Sequence, residues 1–166
     1  MSYELQALIG SAELLAVAAA EVPAARLSPL AQGLALIPAT PAFLSALQFG
    51  RGEPGFGGES GFDWFPDGLE RRLAAWSKAG PIACVEADYF GGSGTQRAAV
   101  WADGRLDLGP LVSGEFEPSP PEGTPISRAL RRIGARVVDA HHHDEFEAVG
   151  LTAHRRTDGW AAPDGA

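Results

Sequence analysis

Residues 81–108 read as three consecutive antiparallel strands, and no other stretch limits the fold so tightly. The segment runs PIACVEADYF, GGSGT, QRAAVWA, DG and RLDL. Three runs suited to a sheet are therefore separated by glycine-rich turns. Asp103-Gly104 is a tight hairpin signal, because such turns need positive φ angles that aspartate tolerates and glycine adopts freely. Gly91–Thr95 also marks a turn but leaves its length open. A four-residue turn pairing Phe90 with Thr95 sets Asp88 opposite Arg97. One residue more, pairing Phe90 with Gln96, sets Asp88 opposite Ala98. Along the first strand Ile82, Cys84, Glu86, Asp88 and Phe90 share one face, while Ala83, Val85, Ala87 and Tyr89 share the other.

The flanking segments supply helices to cover such a sheet. Tyr3–Ile9 is expected as a strand ended by Gly10, with Ser11 capping a helix that carries Leu14, Leu15, Ala18, Ala19 and Val22 to Pro23. Arg26–Leu30 and Leu34–Pro38 are short β runs, the first at a sheet edge because of Pro29. Thr40-Pro41 opens a helix burying Phe43, Leu44 and Leu47. Asp67 and Glu70 open another with Leu69, Leu73 and Trp76 inward. Thr124-Pro125 begins a third, with Ile126, Leu130 and Ile133 inward and Arg128, Arg131 and Arg132 outward. Arg136–Asp139 is expected as a last strand and Asp144–Gly150 as a short helical turn. The sum is an α+β chain: a single domain over residues 1–160 and a tail at 161–166. It rests on a mostly antiparallel sheet of about five or six strands with three to five helices packed on it.

Charge narrows the partners. The net charge of −8 comes entirely from residues 1–125, which hold 7 basic and 15 acidic side chains, whereas 126–166 hold 6 of each. That field repels nucleic acid and anionic membrane, and attracts a basic protein partner. The longest apolar run, Leu14–Ala20, falls far short of the ~20 residues a membrane span needs. A single cysteine, and a first segment without a basic n-region, point to the cytoplasm. One lysine and no asparagine, amid abundant alanine, glycine, proline and arginine, fit a GC-rich bacterial genome.

Four groups of residues are candidates for function. Segment 50–66 combines six glycines and two prolines with aromatics, so it is either a loop pinned to the sheet or a recognition surface. On the second reading Phe62, Asp63, Trp64 and Phe65 bind the partner together with Gly92 and Ser93 of the turn. Glu86 and Asp88, two apart on a strand, suit either a cross-strand ion pair or acid–base or metal chemistry. His141, His143 and Asp144 offer nitrogen and oxygen ligands, and the two histidines share a face if the segment is extended. The glycine-rich turn lacks the lysine and following helix of a phosphate loop, and Cys84 reads as a small buried hydrophobe. No cofactor is implied. Together these features favour a non-enzymatic interaction protein that binds a basic partner, with an immunity-type, toxin-neutralising role as a subclass. The alternative is a small hydrolase-like enzyme using Glu86 and Asp88.

Overall fold

The computed structural model describes residues 2–48, 62, 67–91, 93–118 and 120–161. The strands β1 (Ser2–Ser11), β2 (Ser28–Pro29), β3 (Leu34–Pro38), β4 (Ile82–Phe90), β5 (Ser93–Ala102) and β6 (Arg105–Ser113) form one antiparallel sheet. Their order across it is β2-β3-β1-β4-β5-β6. The helices are α1 (Ala12–Glu21), α2 (Pro41–Gln48), α3 (Asp67–Trp76), α4 (Pro125–Arg132) and the short α5 (Glu145–Ala148). This is an α+β arrangement, with the β4–β5–β6 meander where the turn residues put it.

Helix starts follow local chemistry. Ser11 accepts the Leu14 N–H at 3.2 Å, Thr40 the Phe43 N–H at 3.2 Å, and Thr124 the Ser127 N–H at 3.3 Å. Each bond satisfies an amide that helix geometry leaves without an internal acceptor. Proline follows at the first position of both α2 and α4, where its missing N–H costs nothing.

Two apolar layers enclose the sheet. On one face Leu8, Ile37, Cys84, Ala99 and Trp101 meet Leu15 of α1, Phe43 of α2 and Leu73 of α3. On the other, Ile9, Ala83, Val85 and Val100 meet Ile126 and Leu130 of α4, together with Val149 and Trp160. Strands β1 and β4 thus bury both faces over residues 7–10 and 82–85, which explains the apolar runs there. Burying each large aliphatic or aromatic side chain contributes about 1.5–3 kcal/mol.

Three details differ from expectation. β1 continues through Gly10, which pairs with Ile82 and Ala35 before Ser11 caps α1. β6 runs on to Ser113. Residues 136–139 are not a strand. There Gln32, at a φ of 64°, donates to the Arg136 carbonyl at 2.7 Å and accepts its N–H at 2.9 Å. A side chain thereby takes the place of a neighbouring strand for that residue.

Cys84 is fully buried between Leu8 and Ala99. Burial holds its thiol pKa above the ordinary value, so the folded state keeps the proton longer than the unfolded chain does. The corresponding stability is complete below the unfolded pKa of about 8.5 and declines as pH rises through it, by up to ~1.4 kcal/mol per pH unit. Urea titrations at about pH 8 and pH 9.5 should therefore show Cys84→Ala losing ~1 kcal/mol less between the two than the wild type does. Equal losses would assign the alkaline decline to other groups.

Candidate functional site

Functional features gather at the end of the sheet where β4 turns into β5. Phe90 pairs with Ser93, leaving only two residues between the strands. Both longer turns read from the sequence are corrected by this register, which places Glu86 opposite Arg97 and Asp88 opposite Thr95. Gly94 is needed for close approach: a Cβ there would lie 2.0 Å from the Asp88 carbonyl oxygen. On the β1 side Glu86 faces Gln6, while Asp88 faces Glu4. Two carboxylates thus stand directly across neighbouring strands, an arrangement that like-charge repulsion makes destabilising. Phe90 extends the same row and is 77% exposed.

The loop after β6 contributes a second exposed aromatic. The Glu117 N–H donates to the Gly114 carbonyl at 3.4 Å, closing a turn whose third residue is Phe116 at a φ of 63°. That position ordinarily belongs to glycine, and an L residue there costs roughly 1–2 kcal/mol. Gln32 has a similar φ, but its two bonds to Arg136 offset the cost. Phe116 recovers little by packing, since it is 85% exposed. Strain of this kind, retained without an internal compensation, is characteristic of functional positions.

A cleft of about 220 Å³ lies beneath Phe116, lined by Tyr89, Ser93, Gly94, Ser113, Gly114, Glu117 and the start of α4 at Thr124 and Pro125. Buried Gln96 braces its floor. The Ile126 N–H donates to Gln96 Oε1 at 3.0 Å, and the Gln96 side chain also hydrogen-bonds the Tyr89 hydroxyl. Burial raises the Tyr89 pKa, and the bond from Gln96 partly opposes that rise. One amide side chain therefore docks the first turn of α4 and orients a tyrosine of the cleft. Gln96→Leu, which keeps the volume but leaves the Ile126 N–H without its acceptor, should cost about 1–2 kcal/mol by urea unfolding. An unchanged midpoint would mean that the helix is docked by packing alone.

The other candidates from the sequence are distributed differently. Phe62 is fully buried in the core layer of α1–α3, so it packs the fold and presents no recognition surface. Asp63, Trp64, Phe65 and Gly92 lie outside the described residues. Ser93 lines the cleft. His141 and His143 occupy a turn rather than a strand, their N–H groups donating to Asp139 Oδ1 at 2.9 Å and Glu147 Oε2 at 3.3 Å. Asp144 caps α5 by accepting the Glu147 N–H at 3.1 Å. Among the described residues, no group of three or more His, Cys, Asp or Glu side chains gathers in a way that could hold a metal ion. A second, wider cleft of about 320 Å³ lies between the β1 edge of the acidic row, the start of α2 and Arg156–Asp158. Phe90, Phe116 and Glu117 were not singled out from the sequence. GEFEP reads as an exposed acidic connection, and only the backbone angle marks the phenylalanine.

No helix among the described residues is long and apolar enough to cross a membrane. Compared with protein-family models, curated proteins and solved structures, the chain matches none.

Proposed function

We propose that this protein is a non-enzymatic interaction protein whose β4–β5 end binds a basic protein partner. The observation that carries it is Phe116, held at a positive φ and 85% exposed beside a cleft. Phe90 stands at the same end of the sheet, on the face away from α4, and is 77% exposed. Aromatic side chains of this size supply most of the energy at protein interfaces. The surrounding charge specifies the partner: Glu4 and Asp88 flank Phe90, while Glu115 and Glu117 flank Phe116. Such a field speeds association with a cationic surface and discriminates against acidic ones. Neutralising a cationic toxin inside a bacterial cell is one role in this class.

The test starts from proteins retained at low salt by the wild type and released by the double variant Phe90→Ala, Phe116→Ala. Each is then purified and titrated. Support would be a basic protein whose affinity falls at least tenfold in the double variant and again between about 50 and 300 mM salt. Affinity indifferent to both changes would refute the surface.

A further inference from the structure

We infer that the cleft beneath Phe116 receives one arginine side chain of the partner; the inference rests on the interaction surface just proposed and names what that surface recognises. The cleft is about 220 Å³, below the roughly 300–1,000 Å³ that cofactor-sized ligands occupy, so it suits a single side chain. Its walls match the parts of arginine. Pro118 and Pro120 offer apolar surface for the methylene stem, the Phe116 ring a face for the guanidinium plane, and Glu117 a carboxylate for its paired N–H donors. Lysine has a point charge without the flat, forked geometry, so it fits less well.

Two further observations bear on Glu117. Its carboxylate folds back over Gly114: a Cβ on that glycine would lie 3.1 Å from Glu117 Oε1 and 3.4 Å from its carboxyl carbon. Gly114 therefore makes room for the acid on the cleft wall. The neighbouring arginines are also engaged elsewhere. Arg128 pairs with Glu122 at 3.9 Å, Arg131 with Glu145 at 3.1 Å and Arg132 with Asp107 at 2.8 Å. None of these three ion pairs involves Glu117, which is an exposed residue of the cleft wall.

The cleft can be probed without the partner. The peptide acetyl-Gly-Arg-Gly-amide is titrated into the full-length protein and compared with its citrulline counterpart, which has the same shape without the charge. Amide chemical shifts of Tyr89, Gly94, Gly114 and Glu117 are followed by NMR. The expected result is saturable shifts at these positions with the arginine peptide, and binding at least tenfold weaker for citrulline. Glu117→Gln should weaken the arginine peptide at least tenfold. So should Gly114→Ala, whose new methyl group displaces the carboxylate, and native spectra of both variants exclude misfolding. Equal binding of the two peptides, shifts spread diffusely over the acidic surface, or binding unaffected by Glu117→Gln would overturn the inference. Failure here is separable from failure of the surface itself. Phe90→Ala lies on the other sheet face and should leave the peptide titration unchanged while weakening the partner. A partner sensitive to Phe90→Ala but a cleft blind to arginine removes only the arginine assignment. A cleft that binds arginine, with a partner indifferent to both phenylalanines, removes the surface.

Discussion

Arg131→Leu is expected to lower the unfolding free energy by about 2–3 kcal/mol, a loss larger than that from removing its partner. Glu145 is a buried acid with a side chain only 9% exposed, and it accepts two hydrogen bonds from Arg131, from Nε at 3.1 Å and from Nη2 at 3.2 Å. Without the guanidinium, a carboxylate whose side chain is only 9% exposed loses its counter-charge and both of these hydrogen bonds. Glu145→Gln is milder, about 1 kcal/mol, because Arg131 is half exposed and hydrates readily. Arg131 also donates through Nη1 to the Glu122 carbonyl at 2.9 Å, fastening the loop that walls the cleft. Urea unfolding should show the unequal pair of midpoint shifts with an unchanged slope. Equal shifts would mean that burial of Glu145 contributes little to the asymmetry.

Phe116→Gly should separate stability from binding. Removing the side chain relieves the left-handed conformation, and the gain is partly offset by the greater freedom of glycine in the unfolded chain. The net effect is a stabilisation of about 0.5–1 kcal/mol. Phe116→Ala keeps the strained backbone and loses little packing, so its stability should stay near the wild type. Both variants should bind the basic partner at least tenfold more weakly, since both lose the ring. A destabilised glycine variant would show that the ring is packed in solution, removing the reason to regard the strain as functional.

How much of this was legible beforehand depended on whether the governing interaction is local. Ser11, Thr40, Thr124 and Asp144 each cap a helix through an amide three residues away, so the chemistry lies within one turn of sequence. Asp103-Gly104 is local in the same sense, with φ angles of 54° and 84°. The β4–β5 register is not. GGSGT supplies three glycines, and the sequence does not say that Gly94 already lies within β5, packed closely against Asp88. The assignment of Arg97 to Glu86 rather than Asp88 hangs on that difference.

Long-range contacts hid the remaining features. Residues 136–139 are expected as a strand, yet Gln32, more than 100 positions earlier, meets the Arg136 backbone with a side chain. Phe62 belongs to a segment whose aromatics suggested a recognition surface, but it is absorbed by the layer under α1–α3. Phe116 presented the reverse case. Nothing in GEFEP distinguishes an exposed phenylalanine with an ordinary backbone from one held at a positive φ, and that angle directs attention to the cleft.

The most direct test is amide hydrogen exchange of the protein with and without its purified basic partner. Slowed exchange confined to the β4–β5 turn and to residues 113–117, with α5 and the β2 edge unchanged, is the predicted footprint. Protection on α5 or along β2 instead, with those two segments exchanging as in the free protein, would contradict the account.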